Sequence, residues 1–382
     1  MTTSIMYLIY GMAGFALLFT AACTIAVCIT RFSKKTTVSS HPHVTLVKPV
    51  KNIDEGFDDN IRSFYTLDYP SYDIVFGIDE RTDPCVERLQ AIASEFSAIK
   101  TSIVATGAEK VGNPKIDTLH HCAESVTGDY VWITDSNVRV APDTLTRMVH
   151  GAQTTGAKII FSPILGAGNK SFGSIVENSY INLFVSGATI IAWALFKKPV
   201  ITGKSMLIDM HTLISHYGGF DYFRSFLAED YVLGDTFKND GFHVVTNYAW
   251  ITNINEKTQL KNVYARLSRW ALLRRNLNVL YGFEIFTNPL FFIALLLADT
   301  HHGSTLAIAG LAFLLLCEYL VLFIVNSHDR KSLRVILTYP AAVMAKYLLQ
   351  LIVFIGSFLT ATVIWRGRRL HIGNRTVISE RT

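Results

Sequence analysis

Hydrophobic and polar positions follow three regimes along this chain. From Ile5 to about Thr30 no charge interrupts the apolar run, enough to cross a hydrocarbon core of roughly 30 Å. From His43 to Asn276 short β-rich runs alternate with amphipathic stretches. "HVTLVKPV" (43–50), "YDIVFGID" (72–79), "TSIVA" (101–105) and "DYVWITD" (129–135) read as strands, and "DDNIRSFYTL" and "PCVERLQAIASEF" as helices between them. After 276 the apolar pattern returns near 283–298, 305–325 and 342–365. The pattern predicts an N-terminal transmembrane helix over 1–30, one α/β domain over 43–276, a membrane region over 283–365 and a basic tail over 366–382. The first C-terminal segment is short and contains Pro289, so it is expected to lie in the interface or re-enter, leaving two full spans, with three spans as the alternative.

Composition sharpens this picture. With 50% hydrophobic and 17% charged residues and a mean hydropathy of +0.31, the chain is too apolar for an ordinary soluble protein. A cleaved signal peptide fits poorly, because the first apolar run is longer than a signal core and its charges follow it. Arg31, Lys34 and Lys35 come just after that run. By the positive-inside rule they keep the following domain in the cytoplasm and the N-terminus outside. The net charge of +5 comes largely from membrane-flanking arginines, which favours lipid headgroups and anionic ligands over nucleic acid. The five cysteines have no paired spacing and give neither a disulfide framework nor a zinc site. Glu318 and Lys346 fall inside apolar segments, where ionisable groups are costly; they are expected to pair between helices, with snorkelling of Lys346 as the alternative.

Strands alternating with helices imply a mainly parallel sheet, whose ligands bind beyond the carboxyl ends of the strands. Lys48, Asp79 with Glu80, and Asp135 occupy such ends. Asp135 is suited to a hard cation such as Mg2+ or Mn2+, which takes one or two carboxylates plus substrate phosphates. It and Ser136 are equally suited to capping the turn before "PDTLTRMV". Downstream, "FLAEDYVLG" sets Glu229 and Asp230 side by side in an apolar context, which is costly unless they are paired, capping or functional. "YARLSRWALLRR" places Arg266 and Arg269 on one helix face beside Trp270. Guanidinium forks suit a diphosphate, although the same pattern describes an interfacial anchor. Lys115 in "GNPKIDTL" reads either as a phosphate or uracil contact or as a solvated lysine. Gly203-Lys204-Ser205 lacks the upstream glycine of a phosphate loop, and the paired histidines at 120–121 and 301–302 lack i, i+4 metal spacing.

"GID", "WITDSNVRVAPDTLTRMV", "FLAEDY" and "RLSRW", in this order, resemble the Asp, Asp, Asp, (Q/R)xxRW signature of family 2-like glycosyltransferases, and within them the ceramide glucosyltransferases. "NPKIDTL", "VITGKSML" and "WRGRRLHIG" extend the resemblance over nearly the whole chain. The resemblance implies an α/β GT-A domain with α-helical transmembrane segments, a UDP-sugar donor, a divalent metal, a membrane lipid acceptor and inversion at the anomeric carbon. It implies that Asp79 contacts the uridine and Asp135 the metal and diphosphate. It makes Asp230 the general base, with Arg266, Arg269 and Trp270 binding the diphosphate and lining the acceptor entrance. Two departures stand out. The metal motif reads Asp135-Ser136-Asn137, with one carboxylate where many relatives have two, and "INLFVSGATI" (181–190) lacks the histidine of vertebrate members.

Other classes fit less well. A processive polysaccharide synthase would share the catalytic residues, but it needs more helices for a channel than about four spans provide. A transporter would need more polar residues in its spans, and a scaffold would not need the three aspartates and the RxxRW face together. The expected reaction is transfer of a hexose, by family default glucose from UDP-glucose, to the primary hydroxyl of ceramide. The sequence leaves open galactose or a uronic acid as the sugar, diacylglycerol as the acceptor, and a bacterial inner membrane or a Golgi membrane as the site.

Overall fold

Every residue from Val44 to Lys48 is buried, as are all seven from Tyr72 to Ile78, which requires strands covered on both faces. The computed structural model describes residues 3–32, 38–107, 112–299, 301–326, 329–365 and 368–380. The chain forms two compact units. One combines Ser33–Ile164 with Ala192–Ile254, the other Met1–Phe32 with Leu165–Ile191 and Asn255–Thr382. These units do not coincide with the expected 43–276 domain. The α/β unit ends earlier, and a stretch in the middle of that range groups with the terminal segments.

The strands through residue 254 are β1 Val44–Pro49, β2 Tyr72–Ile78, β3 Thr101–Ala105, β4 Tyr130–Thr134, β5 Val138–Arg139, β6 Ile159–Phe161, β7 Ile164–Ala167, β8 Ser205–Asp209, β9 Val244–Thr246 and β10 Ile251–Ile254. Seven of them make one sheet in the order β3-β2-β1-β4-β8-β6-β9. β1 pairs in parallel with β2 and β4, β2 with β3, and β6 with β9. β8 runs antiparallel to both β4 and β6. β5 pairs with β10. The mainly parallel α/β sheet expected from the sequence is therefore present, with the helices Phe57–Arg62 and Cys85–Glu95 where the amphipathic runs fall and a further helix at Pro114–Cys122. Gly77 lets this last helix approach β2: a Cβ there would sit 2.5 Å from Thr118 Cγ2 and 2.7 Å from Cys122 Sγ.

The second unit is helical. Among the described residues, four helices are long and apolar enough to cross a membrane: Ser4–Arg31, Phe172–Phe196, Gly303–Ile324 and Leu333–Leu359. The first and the last two lie over apolar segments read from the sequence, the last running over Leu333–Leu359 rather than 342–365, and the short helix Pro289–Leu296 lies within the apolar segment near 283–298. Phe172–Phe196 was read as part of the α/β domain. It widens into a π-turn over Tyr180–Val185, a local register change of the kind that re-aims side chains. Its Gly187 packs against the first helix so closely that a Cβ would lie 2.5 Å from that of Cys23, a small-residue contact typical of helix pairs in lipid. Lys34, Lys35 and Arg366 lie outside the described residues. Within the tail expected over 366–382, β12 Arg368–Ile372 and β13 Ile378–Glu380 form an antiparallel sheet with β11 Thr362–Trp365, which stands at the end of the expected membrane segment 342–365.

Glu318 and Lys346, both fully buried, form an ion pair. The Tyr347 hydroxyl donates to Glu318 over 2.9 Å. Pairing rather than snorkelling is thus what the two helices use.

Candidate functional site

β4 delivers Asp135, and the antiparallel register Thr134↔Ser205 brings the residue before β8 opposite it. That residue is Lys204. Its ammonium donates to Asp135 Oδ2 at 2.8 Å and to Asn137 Oδ1 at 3.0 Å. The register is locked from the interior, where buried Trp132 Nε1 donates to Ser205 Oγ at 2.9 Å. From β1, the fully buried Lys48 donates to the Asp135 carbonyl at 2.6 Å and to Thr134 Oγ1 at 2.9 Å, with its ammonium 3.8 Å from the centre of the Phe64 ring. Burial pushes the Lys48 ammonium well below its usual range, against the opposing pull of Asp135 and Asp54. Ser136 donates to Asp54.

A second element converges from the helix Pro114–Cys122. Buried Asn113 caps it, its side chain accepting from the backbone N–H groups of Lys115 and Ile116. The Asn113 amide nitrogen donates at 2.8 Å to both the Phe226 carbonyl and Glu229 Oε2. The cap therefore ties the start of this helix to the "FLAEDY" turn and aims Lys115 between the carboxylates. Lys115 Nζ lies 2.9 Å from Asp135 Oδ1, 3.6 Å from Glu229 Oε1 and 2.7 Å from the Gly203 carbonyl. Its side chain is only 14% exposed, which decides against the solvated-lysine reading.

Glu229 and Asp230 open the helix Glu229–Asn239, where the helix dipole favours negative charge. Asp230 accepts from the Tyr231 N–H at 2.8 Å. Gly203, with φ +68°, leaves room for it, since a Cβ there would stand 2.5 Å from Asp230 Oδ2. Burial, reinforced by the Glu229 charge and opposed by Lys115, raises the Asp230 carboxyl to about 7. Burial would also raise Asp135, but Lys115 and Lys204 outweigh it and hold that carboxyl well below the usual carboxylate range. Burial works against the charged form of Lys115, yet Asp135, Glu229 and Asp230 together raise it above its ordinary value. Carboxylates driven apart in this way are suited to different roles: one permanently ionised, one able to take up a proton near neutral pH.

Of the other expected site residues, Asp79 follows β2 and pairs with Lys51 at 2.7 Å. One strand separates β2 from β4, so Asp79 and Asp135 leave the sheet about 10 Å apart. Arg266, Arg269 and Trp270 lie on the helix Leu260–Leu277 of the other unit. Arg266 pairs with buried Glu177, and Trp270 stacks on Tyr180 with ring centres 6.4 Å apart. Lys204, Lys48, Asp54, Asn113 and Glu177 were not expected as site residues. Lys204 and Lys48 had a signal, a polar side chain beside a strand end, whereas the roles of Asp54 and Glu177 depend on long-range contacts.

Among the described residues, no three His, Cys, Asp or Glu side chains group as a metal site. Asp135, Ser136 and Asn137 nevertheless carry oxygen atoms in sequence, with Asp54 bonded to Ser136, while Lys115 and Lys204 hold the two Asp135 carboxylate oxygens and Lys204 also holds the Asn137 oxygen. By its chemistry this all-oxygen set suits a hard cation once those ammonium groups turn away, its shell completed by phosphate and water.

A mainly parallel sheet with acidic and basic groups gathered past its carboxyl strand ends, in one chain with long apolar helices, defines the class: an α/β protein with α-helical membrane-type segments. The chain belongs to glycosyl transferase family 21, whose model matches residues 11–378. It is similar to ceramide glucosyltransferase 3 of Caenorhabditis elegans, 25% identical over 62% of this chain and 51% of that protein. It is also similar to ceramide glucosyltransferase of Komagataella phaffii, 24% identical over 65% of this chain and 60% of that one. The chain spans about half the length of the worm relatives it matches. Among solved structures, a mannosyltransferase from Pyrobaculum calidifontis, in complex with GDP-Man and Mn2+, superposes with a TM-score of 0.49 at 16% identity, over 89% of this chain and 99% of that one.

Proposed function

We propose that this chain is an inverting lipid glycosyltransferase that moves a hexose, glucose from UDP-glucose, to the primary hydroxyl of ceramide. Membership of family 21 and likeness to ceramide glucosyltransferases support the substrate class. The observation that carries the chemistry is the Lys115-centred cluster, where Asp135 is held ionised and Asp230 is poised near neutrality.

In this reading Asp230 accepts the proton of the lipid hydroxyl as that oxygen bonds to the anomeric carbon. The bond from that carbon to the diphosphate oxygen breaks on the opposite face, UDP leaves with the electron pair, and configuration inverts. A base with pKa near the working pH is the efficient choice for such a step. The ammonium groups of Lys115 and Lys204 turn toward the diphosphate and stabilise its growing charge, as preorganised cations do. Asp79 binds the uridine, and Arg266 and Arg269 clamp the diphosphate, with Trp270 at the acceptor entrance. Asp135, with Ser136 and Asn137, would hold Mg2+ or Mn2+, which would supply further charge neutralisation to the leaving group. The catalytic unit faces the cytoplasm, on the side that Arg31 marks by the positive-inside rule.

The test is product analysis. Purified, detergent-solubilised protein is given Mg2+ or Mn2+, a panel of UDP-sugars, and ceramide or diacylglycerol, and lipid products are resolved by mass. A hexosylceramide supports the reading. Consumption of donor into long polymer, or no lipid product with any donor, contradicts it.

A further inference from the structure

Within the helical unit, a cavity of about 660 Å³ opens along the first helix. That is the size of a small-molecule site, typically roughly 300–1,000 Å³. Its wall follows the first helix from Tyr7 to Phe19, thirteen residues or about 18 Å of helix. The length suits a hydrocarbon chain, and the wall is apolar and aromatic over this stretch. Chemistry changes at one end. Asn278 and Glu284 also line the cavity, and Glu284 is held by Arg274 in a two-pronged ion pair of 2.9 and 2.8 Å. Aromatic contacts fix which end this is. Phe19 meets Phe184 with ring centres 6.4 Å apart, and Phe184 in turn lies 6.0 Å from the Arg274 guanidinium. Phe184 also stacks on Tyr180 at 5.2 Å, and Tyr180 on Trp270 at 6.4 Å. The opposite end lies by Tyr7 and Leu8. The cavity is thus a one-ended amphiphile site: a long apolar trough whose polar mouth is joined by stacked rings to the tryptophan of the RLSRW helix.

We infer that this trough holds one hydrocarbon chain of the acceptor lipid, with the hydroxyl-bearing head at the Asn278, Glu284 and Arg274 end. The inference rests on the lipid-acceptor reading and assigns that acceptor a place in the helical unit. The Glu284 carboxylate and the Asn278 amide supply acceptors and donors for a head rich in hydroxyl and amide groups. The Arg274 fork is already engaged by both Glu284 oxygens, so the mouth is a neutralised pair that suits an uncharged polar head better than the phosphate of a bulk phospholipid.

Gly11 provides the test. It lines the cavity, and a Cβ built there meets nothing within 4 Å, so Gly11→Phe fills the trough without a backbone clash. Gly14 on the same helix also has open space around its Cβ and is not a lining residue, so Gly14→Phe controls for bulk on the helix. The full chain, purified in detergent, is photolabelled with a long-chain ceramide bearing a diazirine in its chain, and the labelled peptides are mapped. Acceptor KM is measured with short-chain and long-chain ceramides. Wild type and Gly14→Phe are expected to label within Thr3–Arg31 or 278–287, with competition by unlabelled ceramide and not by phosphatidylcholine. Gly11→Phe is expected to lose the label and to raise KM for the long-chain acceptor about tenfold or more, with the short-chain acceptor and UDP-sugar KM unchanged. Equal competition by phosphatidylcholine, or a Gly11→Phe protein that labels and turns over like wild type, overturns the assignment. Labelling without any glycolipid product keeps the trough as a lipid site and overturns the transferase reading; transfer without labelling does the reverse.

Discussion

The Nζ of Lys115 stands 2.9 Å from Oδ1 of Asp135, and the same ammonium reaches Glu229 and the Gly203 carbonyl. One lysine therefore joins three segments that are far apart in sequence. Lys115→Met would leave Asp135, Glu229 and Asp230 facing one another with less compensation. Removing one partner of a buried pair costs roughly 3–5 kcal/mol, and the partial exposure here puts the expected loss near the lower end. Denaturant unfolding in detergent measures it; a variant as stable as wild type would show that Lys204 alone carries the cluster.

The pH dependence of transfer should report Asp230. As a base it must be unprotonated, so the rate is expected to rise with pH through an apparent pKa near 7. The Glu229 charge is one of the causes that raise it, so Glu229→Gln should move the acid limb to lower pH. The linkage has the opposite sign for stability. Between the ordinary carboxylate range and about 7, the native state binds the proton that the unfolded state has released, so this contribution to stability is full below that range and is lost as pH rises toward 7. Rate profiles and unfolding curves across this window check both statements; an unmoved limb in Glu229→Gln would assign the titration to another group.

Gly203 adopts φ +68° within contact distance of Asp230. Gly203→Ala adds backbone strain of about 1–3 kcal/mol and a methyl group where the carboxylate sits. The expected result is a fall in kcat larger than any rise in the UDP-sugar KM, because the displaced group is the base. Steady-state kinetics with varied donor separates the two.

In the helical unit, Lys346→Ala or Glu318→Ala strands a charge at full burial and should destabilise by about 3–5 kcal/mol. The exchange Glu318→Lys with Lys346→Glu should recover part of the loss. Thermal unfolding of the singles and the double forms the test, and a double mutant no better than the singles would assign the cost to packing with Tyr339 and Tyr347.

What the sequence made legible follows physical range. The strands at 44–49, 72–78 and 130–134 were visible because burial on both faces leaves apolar runs, and the half-exposed edge strand at 101–105 was visible from its β-branched residues. Asp79, Asp135 and Asp230 stood out as acidic residues at strand ends or in an apolar turn. Lys204 was passed over because its local pattern is a failed phosphate loop; its place beside Asp135 comes from the β4–β8 register, seventy residues away in sequence. The apolar helix Phe172–Phe196 was hidden by Glu177, Asn178 and Asn182. Glu177 pairs with Arg266, and Asn182 bonds both backbone groups of Gly166 inside the unit, so the stretch looks soluble only when read alone. The C-terminal strands were missed because Arg366, Arg368 and Arg369 dominate a short segment whose pairing is tertiary.

The most direct test of the account is Asp230→Asn, assayed in parallel for UDP-sugar binding and for transfer to ceramide. The account predicts donor affinity within about threefold of wild type, less than 1.4 kcal/mol, together with loss of glycolipid formation. Loss of donor binding along with activity, or transfer that survives the substitution, would contradict Asp230 as the base.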